Sequence, residues 1–133
     1  MKTILIVEDY DAIRLLMKDY LEKSGYRVLQ AANGDQAVEI ARRERHDLHL
    51  ILLDLSLPII DGIVATRLIR EITELSEIPI IACTARSSKE QREEALSAGC
   101  TDLVAKPIGK TTIENILNEY FGNNIFDLPN GVK

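Results

Sequence analysis

Asp54 stands at the end of the run Leu50, Ile51, Leu52, Leu53. Such an unbroken apolar run belongs to a strand buried on both faces, so the carboxylate at its tip is either a loop-starting accident or a reactive group on a rigid support. Three other strand-like runs end the same way: Thr3 to Val7 on Glu8 and Asp9, Pro79 to Thr84 on a hydroxyl, and Asp102 to Ala105 on Lys106, with Pro107 next. Two carboxylates about 4 Å apart repel by roughly 4 kcal/mol at an effective dielectric near 20. Three together raise one another's pKa or take up a cation. Magnesium suits them, because it takes oxygen ligands and is held by one or two carboxylates plus phosphate oxygens. In this reading Asp9 and Asp54 ligate the ion directly and Glu8 acts through water. Asp54 is the nucleophile, accepting a phosphoryl group as an acyl phosphate. Lys106 offers a positive charge to the phosphoryl oxygens, Thr84 a hydroxyl donor, and backbone N–H groups beyond Asp54 and Thr84 complete the cradle.

The elements that must position these groups follow from periodicity. After the first strand, Ile13, Leu16, Met17, Tyr20 and Leu21 recur on one helical face from Asp11, and Gly25 is a suitable stop. The alternation repeats with Arg27 to Ala31 as strand, Gly34 to Arg45 as helix, Leu48 to Asp54 as strand and Gly62 to Leu75 as helix. It continues with Pro79 to Thr84, a helix over Ser88 to Ala98, a strand over Asp102 to Ala105 and a helix over Thr112 to Phe121. Ser88 with Gln91, and Thr111 with Glu114, have capping-box spacing. Strands alternating with helices require right-handed crossovers and a parallel sheet. So short an array closes as an open α/β sheet, doubly wound, with helices on both faces and ligands beyond the carboxyl ends of the strands.

Bulk properties narrow the function. The 133 residues, 46% apolar, suffice for one compact core and are few for two. We read residues 1–122 as one domain and 123–133 as a tail, with Ile125, Phe126 and Leu128 as its apolar residues and no output domain after the last helix. A net charge of -5 with no basic stripe argues against direct nucleic-acid binding and for a protein partner. No window has the roughly 18 apolar residues of a membrane span, and the N-terminus turns acidic too early for a signal peptide. The expected location is the cytoplasm, with Cys83 and Cys100 as reduced, buried thiols.

Taken together, the chain resembles the receiver domain of two-component response regulators, chemotaxis-type single-domain regulators among them, from about Lys2 to Phe121. The resemblance rests on Glu8 and Asp9, on Asp54 in "DLSLPIIDG", on Thr84 in "IIACTA" and on Lys106 in "AKP", in that order. It implies a flavodoxin-like sheet of five strands in order 2-1-3-4-5 and a cis Lys106–Pro107 bond. It also implies that Asp54 accepts phosphate from a histidine kinase or a histidine phosphotransfer protein in a magnesium-dependent reaction, the Ser56 carbonyl joining the ligands. The protein then promotes its own phosphorylation and dephosphorylation, and the surface of the fourth helix, fifth strand and fifth helix changes to regulate a partner protein. Ser56 and Arg86 hold the positions that influence phosphoryl lifetime. The family commonly has an aromatic residue three positions before the lysine; here it is Leu103, so the switch would involve Thr84 and Leu103 without an aromatic readout.

Two rivals come from other classes. A haloacid dehalogenase-type phosphatase would use Asp9 as nucleophile and Asp11 as acid/base, and a phosphorylation-independent binding module would need neither. Other tempting features have plainer readings. His46 and His49, three apart, point to opposite faces of a strand and cannot share an ion. "NGDQA" is a turn and helix start, since it lacks the lysine and glycine spacing of a phosphate loop. Asp11 reads as a helix N-cap, and "RRER" as a solvated helix end whose cations complement the dipole.

Overall fold

The structure, a computed structural model, describes residues 1–85 and 88–122. The expected tail at 123–133 and Arg86 lie outside the described residues. In chain order the elements are β1 (Thr3–Val7), α1 (Asp11–Lys23), β2 (Arg27–Ala31), α2 (Gly34–Arg43), β3 (Leu48–Asp54) and α3 (Gly62–Arg70). A 3-10 turn (Thr73–Leu75) follows, then β4 (Ile80–Thr84), α4 (Lys89–Ala98), β5 (Asp102–Ala105) and α5 (Lys110–Phe121). All the strands are parallel, in the order β2-β1-β3-β4-β5, and Lys106–Pro107 is cis.

Each face of the sheet carries its own core, and strand alternation assigns residues to it. Leu5, Val7, Ile51, Leu53, Ile80, Ala82 and Leu103 pack with α2, α3 and α4. Ile4, Ile6, Leu50, Leu52 and Ile81 pack with Met17 and Leu21 of α1 and with Ile113, Ile116 and Leu117 of α5. Both parities of β1 and β3 are therefore buried. That is why the Leu50–Leu53 run shows no alternation.

Several local expectations change. Helix α3 ends at Arg70 because the chain turns extended at Ile72, and Leu75 reaches the core from the 3-10 turn. Helix α2 stops at Arg43, and Glu44 beyond it pairs with Arg27 and Arg43. Helix α5 begins at Lys110 after Gly109, with no side-chain cap, so Thr111 sits inside the first turn. The N-cap of α1 is Tyr10, also without a side-chain bond, and Asp11 is instead the first helical residue, paired with Arg14 at 2.7 Å. Asn33 does cap α2, accepting from the Gln36 N–H. His49 is no ligand: its Nδ1 accepts the Thr3 N–H at 3.1 Å where the β1–β3 register slips, and His46 is exposed.

Candidate phosphoryl-acceptor site

Strand parity and strand length build the site. Glu8 follows β1 on the same face as Ile4 and Ile6, and Asp54 ends β3 on the same face as Leu50 and Leu52. Lys106 follows β5 in phase with Val104, which packs on that face too. Both carboxylates are nearly buried, Glu8 at 4% and Asp54 at 5% exposure, while Asp9 is exposed. One carboxylate oxygen from each of Glu8, Asp9 and Asp54 falls in a group whose members lie within 4.8 Å of one another.

Lys106 Nζ donates to Asp54 Oδ2 at 2.8 Å and to Glu8 Oε1 at 3.3 Å. The other Asp54 oxygen, Oδ1, accepts the Ser56 N–H at 3.0 Å. Burial pushes the Glu8 carboxyl above its ordinary pKa, against the Tyr10 N–H bond and the Lys106 charge, with Asp54 adding repulsion. Burial disfavours the Lys106 cation as well, but its bond to Asp54 and the two carboxylate charges outweigh that and raise its pKa. The loop after Asp54 can pass so close to α3 because Gly62 has no side chain. A Cβ there would lie 2.6 Å from Leu55 Cα and 2.7 Å from the Asp54 carbonyl oxygen.

Thr84 shares the edge but not the face. It is in phase with Ile80 and Ala82, on the α4 side, and its Oγ1 donates to Gln91 Oε1 at 3.0 Å. Leu103 lies on that side too, already buried in the core. Gln91 was legible only as a capping partner of Ser88. Ser88 Oγ does accept the Gln91 N–H at 3.2 Å, but the glutamine side chain goes to Thr84. Asp11 stands outside the acidic group.

Beside the acids lies a groove of about 380 Å³ between α1 and the segment after β5. Its apolar wall includes Ile13, Leu16, Met17, Cys83, Pro107 and Ile108, and it reaches Glu8, Asp54 and Lys106. Sequence periodicity puts Ile13 and Leu16 on the buried face of α1, yet Leu16 is 72% exposed and Ile13 43%. Only Met17 and Leu21 of this helix are buried, and Ile13 and Leu16 line the groove instead. Cys83 is inert, since burial above all, and the Asp54 charge next, push its thiol up to about 12.

A doubly wound parallel sheet in this order, with acids, a lysine and a threonine at its carboxyl edge, is the architecture of a receiver domain. Residues 4–118 match the family model of the response regulator receiver domain, and the chain belongs to that family. It is 35% identical to the polar-differentiation response regulator DivK of Brucella anthropi over 122 residues, 92% of this chain and 98% of that protein. Among solved structures it is similar to the receiver domain of the sensor histidine kinase PA1611 from Pseudomonas aeruginosa, crystallised with magnesium in its active-site cleft. That similarity has a TM-score of 0.82 and 39% identity, covering 92% of this chain and 98% of the other. It is also similar to the Saccharomyces cerevisiae Ssk1 receiver domain, solved with the histidine phosphotransfer protein Ypd1, at a TM-score of 0.82 and 30% identity, covering 90% and 88%. The family assignment, with Asp11 held by Arg14, leaves the phosphatase alternative without support.

Proposed function

We propose that the chain is a phosphoryl-accepting switch. Asp54 takes a phosphoryl group from the phosphohistidine of a histidine kinase or a histidine phosphotransfer protein, and the α4–β5–α5 surface then regulates a partner protein. The observation that carries this reading is the Asp54 carboxylate held between Lys106 Nζ and the Ser56 N–H beside Glu8 and Asp9.

Glu8, Asp9 and Asp54 offer only carboxylate oxygens, and Ser56 has a backbone carbonyl nearby in sequence, a donor set that fits magnesium. The ion, when bound, offsets the negative charge of the carboxylates and of the incoming phosphoryl group. An Asp54 oxygen attacks phosphorus, an O–P bond forms, and the P–N bond of the donor breaks with its electron pair returning to the imidazole nitrogen. Lys106 has only to shift from Asp54 to a phosphoryl oxygen, keeping its charge at the site. The Ser56 N–H, released from Oδ1, is placed for another. Dephosphorylation is the attack of water on the same phosphorus, breaking the O–P bond to Asp54, restoring its carboxylate and releasing inorganic phosphate, which keeps the protons of the water. The domain promotes both steps through this arrangement, and Ser56 and Arg86 set the phosphoryl lifetime.

The exposed apolar residues Ile13 and Leu16, with Tyr10 at 68% exposure, border the site and favour a protein as phosphodonor. The co-crystal of the Ssk1 receiver with Ypd1 supports the same class of donor here. Thr84 and Leu103 are the switch residues. We take residues 1–122 as the receiver unit, 123–133 as a tail, and the cytoplasm, where Cys83 and Cys100 stay reduced, as the setting.

The test is incubation with magnesium and acetyl phosphate, followed by mapping of the label by mass spectrometry. Label on Asp54 that needs magnesium and disappears in Asp54→Asn is expected. Label on Asp9 would instead support a phosphatase, and absence of label a phosphorylation-independent module.

A further inference from the structure

Thr84 and Asp54 end neighbouring strands, yet their side chains leave on different faces, and what meets Thr84 on its own side is the first turn of α4. Its Oγ1 donates to Gln91 Oε1 at 3.0 Å, and Thr84 is only 1% exposed. The backbone of Gln91 is itself fixed, because Ser88 Oγ accepts its N–H. Side chain and helix cap thus meet at one residue. Apart from this tether, α4 buries only Ala95 and Ala98.

We propose that Gln91 is a positioning residue that holds the Thr84 hydroxyl on the α4 side while Asp54 is unmodified, in competition with a phosphoryl group on Asp54. The inference rests on the reading of Asp54 as phosphoacceptor. A hydroxyl has one proton to donate, so Thr84 serves either the Gln91 carbonyl or a phosphoryl oxygen. The bond to the charged oxygen is the stronger of the two, and phosphorylation wins the exchange. The exchange still costs the Gln91 bond. Gln91 therefore weakens capture of the phosphoryl group, and its release reports the state of Asp54 to the first turn of α4. The half-buried amide turns to solvent once Thr84 has left it, which keeps the release reversible.

The probe is beryllium fluoride, a phosphoryl mimic, titrated with magnesium into the full chain and followed by fluorine NMR. Gln91→Met keeps the length and helix propensity of the side chain but removes the acceptor. It should lower the beryllium fluoride concentration at half saturation about 2- to 10-fold, the value of one net hydrogen bond. Gln91→Glu keeps an acceptor and should show no such gain. In a Thr84→Val background Gln91→Met should change nothing, because the competed hydroxyl is gone. An unchanged Gln91→Met, a gain in Gln91→Glu, or an equal gain in the Thr84→Val background would each overturn the proposal while Asp54 still takes label from acetyl phosphate. A wild-type protein that takes neither label nor beryllium fluoride would overturn the phosphoacceptor reading itself, and the inference with it.

Discussion

At the scale of single residues, Lys106 is what allows Glu8 and Asp54 to lie buried side by side. Its ammonium bonds both, at 3.3 and 2.8 Å, and each carboxylate has otherwise one backbone N–H, from Tyr10 and Ser56 respectively. Removing one partner of such a group leaves buried charge uncompensated, which costs more than the intact ion pair contributes. Lys106→Met should therefore lower unfolding free energy by about 2–4 kcal/mol at pH 7 without divalent ions. The loss should shrink on acidification. Glu8 already has a folded-state pKa above its ordinary 4.5, and removing the Lys106 charge raises it further. A group with a raised folded pKa contributes stability that is present below its unfolded pKa and lost as pH rises through the folded one. Proton uptake by Glu8 as the pH falls from 7 toward its ordinary 4.5 thus favours the folded variant. Urea unfolding of both proteins across that range measures it; a penalty independent of pH would show that Glu8 is not the group left in conflict.

At the scale of elements, the end of the sheet opposite the site is tied together by one side chain. Arg70, the last residue of α3, donates to the Leu75 carbonyl at 2.7 Å, to the Gly99 carbonyl after α4 at 2.8 Å and to Thr101 Oγ1 at 3.3 Å. Gly99 has φ 116°, a left-handed conformation that closes α4. Arg70→Ala would free these acceptors at once and should cost about 2–4 kcal/mol in urea unfolding. Arg70→Lys should recover little, because an ammonium cannot span the fork of carbonyls. Nothing in the spacing of Arg70 announces that clamp, whereas the strands and their chemical tips are legible in the sequence. The reason is physical. A doubly buried strand must be apolar throughout and can carry a polar group only at its end, so Leu50–Asp54 reveals itself, while a long-range hydrogen bond leaves no periodic trace. Helix starts are legible where a side chain caps them, as at Asn33 and Ser88; the start of α1 at Asp11 is legible too, although its cap is Tyr10, whereas that of α5 is not, because the backbone turns at Gly109 without a side-chain cap. The apolar face of α1 is legible, but which of its residues reach the core is not: Leu16 lines the groove beside the site and stays 72% exposed. The receiver site was legible as a set of strand ends; the opposed face of Thr84 and its bond to Gln91 were not.

At the scale of the whole molecule, the two cores on either side of the sheet respond to different conditions. The α1–α5 side holds the buried or half-buried phenols Tyr26, Tyr20 and Tyr120. Burial first, and the Glu119 charge next, push Tyr120 up to about 12 from an ordinary 10.0. Its neutral form stabilises the fold fully below pH 10, and that contribution is lost as pH rises through about 12. Lys106, raised above its ordinary 10.5, acts in the same direction. Tyr120→Phe should flatten the fall in urea midpoint between pH 10 and 12, and an unaltered fall would assign it to other groups. On the proposed function, the signal leaves the site through α4, on the other side of the sheet. Strands β1 and β3 are buried on both faces, whereas α4 buries only Ala95 and Ala98, with Leu96 42% exposed, and is otherwise held by the tether at Gln91, the exposed Arg92–Asp102 pair at 3.1 Å and the Arg70 bond to Gly99. Few buried apolar contacts mean a low free energy of local opening, so α4 amides should exchange faster than those of β1 and β3 before any modification. On the proposed function, a phosphoryl group on Asp54 would draw Thr84 away from α4 and remove the tether. Leu103 is already packed in the core and has no hydroxyl to make a replacement bond, so α4 gains nothing in return from β5. Hydrogen exchange in the presence of magnesium and acetyl phosphate should therefore accelerate from Ser88 to Gly99, change less around Leu103, and stay unaltered in β1 and β3. Full phosphorylation of Asp54 with unchanged exchange in α4, while another surface responds, would sink this account of how the signal leaves the site.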